Sequence, residues 1–131
     1  MESIFSKIAK GEIPSYKVAE NDSFYAFLDI NPLTRGHTLV IPKEETDYFF
    51  DIDDHTMSDM MLFAKKVALA IGQATSCKRV GLVVLGFDVP HAHIHLVPMQ
   101  GMQDIDFKRD RVKLSQEEFQ IIANNIAEKL R

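Results

Sequence analysis

The chain has 131 residues and a net charge of −4. That length suits one ordinary domain, residues 1–131, and the acidic balance gives no polyelectrolyte signal for a nucleic-acid polymer. Cys77 is the only cysteine, which excludes an intramolecular disulfide and fits a reducing compartment.

The first residues, "MESIFSKIAKGEIP", lack the long apolar core and small-residue cleavage site of a signal peptide. No apolar run approaches the ~20 residues of a membrane span, so a cytoplasmic protein without membrane association is expected. Residues 3–11 carry Ile4, Phe5 and Ile8 at helical spacing, with Gly11 as the stop and Pro14 blocking continuation. "YKVAE" and "FYAFLDI" flank the turn cluster "NDS", so residues 16–30 read as a β-hairpin. "NPLTRG" is a loop, and "HTLVIP" (37–42) is a strand ended by proline.

Residues 53–74 form the longest expected helix, with Asp53 or Asp54 as N-cap and a core stripe of Met57, Met60, Met61, Ala64, Val67, Ala68 and Ile71. "RVGLVVL" (79–85) and "HAHIHLV" (91–97) are strands joined closely enough to be antiparallel neighbours. Residues 99–114 read as a loop of mixed charge. Residues 115–131 form a last helix, opened by a Ser115/Glu118 capping box, with Phe119, Ile122, Ile126 and Leu130 on its apolar side. Three helices and about five strands in this order give an α+β fold with an antiparallel sheet.

The strand at 91–97 holds His91, His93 and His95, three of the five histidines. Side chains alternate along a strand, so the three imidazoles share one face, looking into a cleft or solvent, while Ala92, Ile94 and Leu96 cover a core. Alternate residues rise about 6.7 Å. Two charged rings at that spacing would repel by about 2.5 kcal/mol at an effective dielectric near 20, so most of the row is expected to be neutral at pH 7. The spacing leaves three readings open: a polar sheet face, a zinc site built on two i, i+2 histidines, or nucleophilic catalysis by a neutral imidazole.

The run "HAHIHLV" resembles the His-φ-His-φ-His-φ-φ motif of the histidine triad (HIT) family. A second block, residues 4–43, is similar to the amino-terminal half of its Hint-like branch. The resemblance implies a homodimeric α+β fold. It also implies hydrolysis or transfer at the α-phosphorus of a purine nucleotide of phosphoramidate type, with nucleoside monophosphate as product. His93 would attack the phosphorus, giving a covalent nucleotidyl-histidine that water then resolves. His91 and His95 would hold its tautomer and contact phosphate oxygens or the leaving group, and His37 would orient the row from behind. Asp29 matches the acid that binds the ribose, and Phe5, Ile8, Ile13, Phe27 and Ile30 match the apolar walls around the base. No cofactor or catalytic metal is needed.

Two departures stand out. Phe87 and Asp88 occupy the places of a Gln and a Ser before the triad, so an acid lies where the phosphate is handled. Ser3, Ser6 and Glu45 stand where some members bind structural zinc through Cys-x-x-Cys and a histidine, so no such zinc is expected here. A dinucleoside polyphosphate hydrolase and a non-catalytic nucleotide-binding or interaction module are the alternative functions.

Overall fold

A computed structural model describes residues 2–130. The elements run α1 (Ile4–Ala9), β1 (Lys17–Glu20), β2 (Phe24–Leu28), β3 (Thr38–Pro42), α2 (Asp54–Ala74), β4 (Arg79–Val83), β5 (Ile94–Met99) and α3 (Gln116–Glu128). Short 3-10 turns at Phe49–Asp51 and Met102–Ile105 are additions the sequence pattern did not reveal. The strands make one antiparallel sheet in the order β1-β2-β3-β5-β4, which is the expected α+β architecture.

Both faces of the central strands are covered, and the alternation of side chains sorts them. Phe24, Ala26 and Leu28 of β2, Val40 of β3, and Ile94 and Leu96 of β5 pack against α2 and α3. Tyr25, Phe27, Leu39 and Ile41 point the other way and pack with Phe5 and Ile8 of α1. Strands β2 and β3 are therefore buried at every residue, which explains their nearly unbroken apolar sequences.

The helix ends follow local chemistry. Ser3, Asp53 and Ser115 each accept a backbone N–H from three residues on, and Glu118 closes the capping box with Ser115. Arg131, the last residue of the expected carboxy-terminal helix, lies outside the described residues. The buried stripe of α2 is Met60, Phe63, Ala64, Val67, Ala70 and Ile71. Met61, expected in that stripe, is 42% exposed. The stripe is rotated toward Phe63 because that ring packs on Phe24 across the sheet, at 5.6 Å between centroids. Among the described residues no helix is long and apolar enough to cross a membrane.

Candidate active site

The β3–β5 ladder pairs Thr38 with Leu96, Leu39 with His95 and Val40 with Ile94, and then stops. Pro42 has no N–H to extend it, and its carbonyl accepts instead from His91 Nε2–H at 2.7 Å. The Ala92 N–H turns to the carbonyl of Thr46 at 2.7 Å. His91 and His93 therefore precede β5, whereas the sequence pattern placed them within a strand. Alternation still holds, since Ala92 joins Ile94 and Leu96 in the core on the far side.

The histidine face is not open as expected. His91 and His93 are fully buried and His95 is 4% exposed. Phe5 of α1 covers the first two, its ring meeting His93 edge-on at 5.0 Å and His91 at 6.0 Å. The amino-terminal helix is thus the lid of the histidine row.

Partners determine where each ring proton sits. With His91 Nε2 donating to Pro42, Nδ1 carries the lone pair and accepts the Ser3 hydroxyl at 2.7 Å. Glu45 Oε1 accepts from both the Ser3 N–H and the Ser6 hydroxyl at 2.7 Å. These hydrogen bonds, together with its depth, place His91 in the interior, where neither nitrogen is free for substrate. Burial holds its pKa below the ordinary histidine value. The backbone N–H of Ser3 and the hydroxyl of Ser6 hold the Glu45 carboxyl down at about 2. Ser3, Ser6 and Glu45 do converge on His91, but with hydroxyls in place of thiolates only one carboxylate and one imidazole, whose Nδ1 already accepts a hydroxyl hydrogen bond, remain, fewer than the four ligands of a structural zinc.

The carbonyl of His91 accepts from His93 Nδ1–H at 2.7 Å, so the lone pair of His93 lies on Nε2. Among the described residues, that Nε2 is the buried side-chain polar atom with no hydrogen-bond partner. Leaving such an atom unpaired costs ~1–3 kcal/mol, which a fold retains where a ligand or reaction uses the atom. Asp88 Oδ1 lies 3.3 Å from it without making a hydrogen bond, and also accepts its own neighbour's N–H from Val89 at 3.0 Å. His93 lines a cleft of about 580 Å³ whose walls include Tyr48, Phe50, Leu82 and Leu85.

A second chain of hydrogen bonds sets His95. The Leu33 N–H donates to His37 Nδ1 at 3.0 Å, so His37 carries its proton on Nε2 and donates it to His95 Nδ1 at 3.0 Å. The proton of His95 is then on Nε2. Burial is the main cause that pushes His37 down to about 3 and His95 down to about 4, so both are neutral at pH 7. Asp29, His37 and His95 also place three potential ligand atoms within 4.8 Å of one another. The Leu33 N–H forces the His37 proton onto the nitrogen a metal would need, so that donor set does not fit a cation.

Asp29 sits beside this pair. Its Oδ1 accepts the Asn31 N–H at 2.8 Å and its Oδ2 lies 3.6 Å from His37 Nε2. Of the expected base-pocket residues, Phe5, Ile8, Phe27 and Ile13 come together in one cluster, with Phe5 and Phe27 edge-on at 5.5 Å. Ile30 does not join them and is 73% exposed. Two residues at the site went unnoticed in the sequence: Phe107 meets His95 edge-on at 4.9 Å, and Arg111 lies 5.6 Å above the Phe107 ring. A lone aromatic in the charged run "DFKRDR" was the available signal.

A family model described as HIT domain matches residues 10–102. The chain is 37% identical to an uncharacterized HIT-like protein of Borreliella burgdorferi, over 96% of both chains. It is 41% identical to the adenosine 5′-monophosphoramidase of Schizosaccharomyces pombe, over 75% of this chain and 74% of that one. The crystal structure of a HIT-like protein from Bartonella henselae has the same fold, with a TM-score of 0.84 at 28% identity, covering 98% of this chain and 96% of that one.

Proposed function

The chain belongs to the HIT domain family, and from that premise we propose that it hydrolyses purine nucleoside phosphoramidates at the α-phosphorus through a nucleotidyl-histidine. The observation that carries the reading is the unpartnered lone pair on His93 Nε2. In the first step Nε2 forms a bond to phosphorus, the P–N bond breaks with its electron pair going to nitrogen, and that nitrogen departs as the amine after taking a proton from solvent, which the attacking water returns in the second step. In the second step water attacks phosphorus, the bond to Nε2 breaks, and nucleoside monophosphate is released. Two easier displacements replace one difficult one.

The other groups divide the work. The His91 carbonyl holds Nδ1–H of His93 so that Nε2 faces phosphorus. His95 Nε2–H donates to a non-bridging phosphate oxygen, with its tautomer held by His37. Asp29 accepts the ribose hydroxyls, and Phe5, Ile8, Ile13 and Phe27 flank the base, with Ile30 reaching it only from the rim. The experiment is acid quenching during turnover of an adenosine phosphoramidate, followed by mass spectrometry. A nucleotidyl group on the peptide that carries His93 supports the reading, and turnover with the label on another peptide refutes it.

Asp88 opposes the phosphate. Its carboxylate is 3.3 Å from the attacking nitrogen, so an anionic phosphate meets a like charge at hydrogen-bonding range until the exposed side chain swings aside. Asp88→Asn is expected to tighten binding of adenosine monophosphate several-fold at pH 7, measured by calorimetry at low and high salt. The gain should shrink as salt rises.

The proposal includes a homodimer. Strand β4 is a sheet edge, and Met61, Leu62 and Leu69 leave α2 with exposed apolar side chains that a second copy would cover. Sedimentation at twice the 14.9 kDa chain mass is expected.

A further inference from the structure

The match to the HIT domain ends at residue 102, yet two later residues lie against the histidines. The Phe107 ring stands edge-on to His95 at 4.9 Å and to His37 at 6.4 Å. The Arg111 guanidinium rests over that ring. Its Nη1 donates to the carbonyl of Asn31 at 2.7 Å and its Nη2 to the carbonyl of Phe107 at 3.2 Å. The Val112 N–H donates to the carbonyl of Pro32 at 2.9 Å. Residues 107–112 are in this way pinned along the loop that follows Asp29, and Asn31 joins the two because its own N–H donates to Asp29 Oδ1.

We propose that Arg111 is a positioning residue for ribose recognition: with Phe107 it clamps the Asp29 loop onto the His37–His95 pair, so that the Asp29 carboxylate meets both ribose hydroxyls. The inference rests on the reading of Asp29 as the ribose-binding acid. A carboxylate that accepts from sugar hydroxyls must be both ionised and aimed. Burial pushes the Asp29 carboxyl up, and the Asn31 N–H and the Arg111 charge pull it back. The other titratable groups facing it are Asp88, whose charge pushes it further up, and His93, which pulls it down only in its protonated form. Arg111 is thus the permanent cation in that set. It retains three of its five N–H donors after its two backbone bonds. A clamp of this kind yields specificity for ribose over deoxyribose, because a deoxynucleotide leaves part of the buried carboxylate unpaired.

Calorimetry of adenosine monophosphate and its 2′-deoxy analogue, on wild type, Arg111→Met, Arg111→Lys and Phe107→Leu, tests this. Wild type should prefer the ribonucleotide. Arg111→Met should weaken ribonucleotide binding about tenfold and the deoxy analogue far less, so that the preference falls toward one. In turnover of an adenosine phosphoramidate the loss should appear in KM, with kcat little changed. Arg111→Lys should restore part of the preference, since it returns the charge without the two-carbonyl clamp. Phe107→Leu should move the ratio in the same direction and serves as the measurement if Arg111→Met does not fold. Lys108→Met, an exposed cation on the same segment, should change nothing. A wild-type preference that survives both Arg111→Met and Phe107→Leu overturns the clamp and leaves the role of Asp29 intact. Absence of any ribose preference in wild type overturns the role of Asp29 and the clamp with it.

Discussion

A His93→Ala protein is expected to turn over an adenosine phosphoramidate ~10³–10⁴-fold more slowly than wild type, while binding adenosine monophosphate within about tenfold of wild-type affinity. The asymmetry follows from what the ring touches. Its Nδ1–H is spent on the His91 carbonyl and its Nε2 has no partner, so truncation removes the proposed attacking atom and breaks one hydrogen bond. In the proposed reading the nucleoside contacts lie elsewhere, on Asp29 and on the apolar cluster that holds Phe5 and Phe27. The protein should also fold: a cavity and an unpaired His91 carbonyl cost stability, and removal of a buried polar atom that was itself unpaired partly offsets them. Equal turnover by the two proteins would end the nucleophile assignment. Retained binding with no turnover by wild type would favour the non-catalytic module, and faster cleavage of a dinucleoside polyphosphate than of the phosphoramidate would favour the other hydrolase.

His37→Ala should lower kcat/KM by ~10²-fold without touching substrate, and should destabilise the fold by about 2–4 kcal/mol. The ring is fully buried, so its loss leaves a cavity, an unpaired Leu33 N–H and a His95 free to move its proton to the wrong nitrogen. Steady-state turnover measures the first effect and urea denaturation the second. Unchanged stability together with unchanged turnover would dispose of the relay.

The same pair makes wild-type stability depend on pH in a defined direction. Buried neutral, His37 and His95 resist protons down to about 3 and about 4, whereas in the unfolded chain they take them up near 6.5. Between these values the unfolded state binds more protons, so stability falls as pH drops from about 6.5 toward about 4 and is level above that window. The His37→Ala protein should show a shallower slope across it.

Much of this architecture follows from local chemistry. Period two in "HAHIHLV" put three imidazoles on one face and Ala92, Ile94 and Leu96 on the other, and both faces are where alternation requires. Asp53, Ser115 and Glu118 mark helix ends by satisfying N–H groups within three residues, which needs no distant partner. The hairpin of β1 and β2 turns at "NDS", where Asn21 Oδ1 accepts the N–H groups of Ser23 and Phe24.

What covers a face is a separate matter, because periodicity specifies direction and carries no information about distant partners. Only the packed chain brings Ser3 and Glu45, 42 residues apart, together behind His91 and turns that histidine into an interior support. Only packing rotates α2 to bury Phe63 in preference to Met61, stops the β3–β5 ladder at Ile94 because Pro42 offers no donor, and sets Asp88 against Nε2 of His93. The same holds for Phe107 and Arg111, which reach the site from beyond the family domain through bonds to the backbone of the Asp29 loop. Local pattern is enough to single out the residues able to do chemistry and the face each one takes. Which of them are protonated, covered or free emerges only on packing, because those properties depend on neighbours that are remote in sequence.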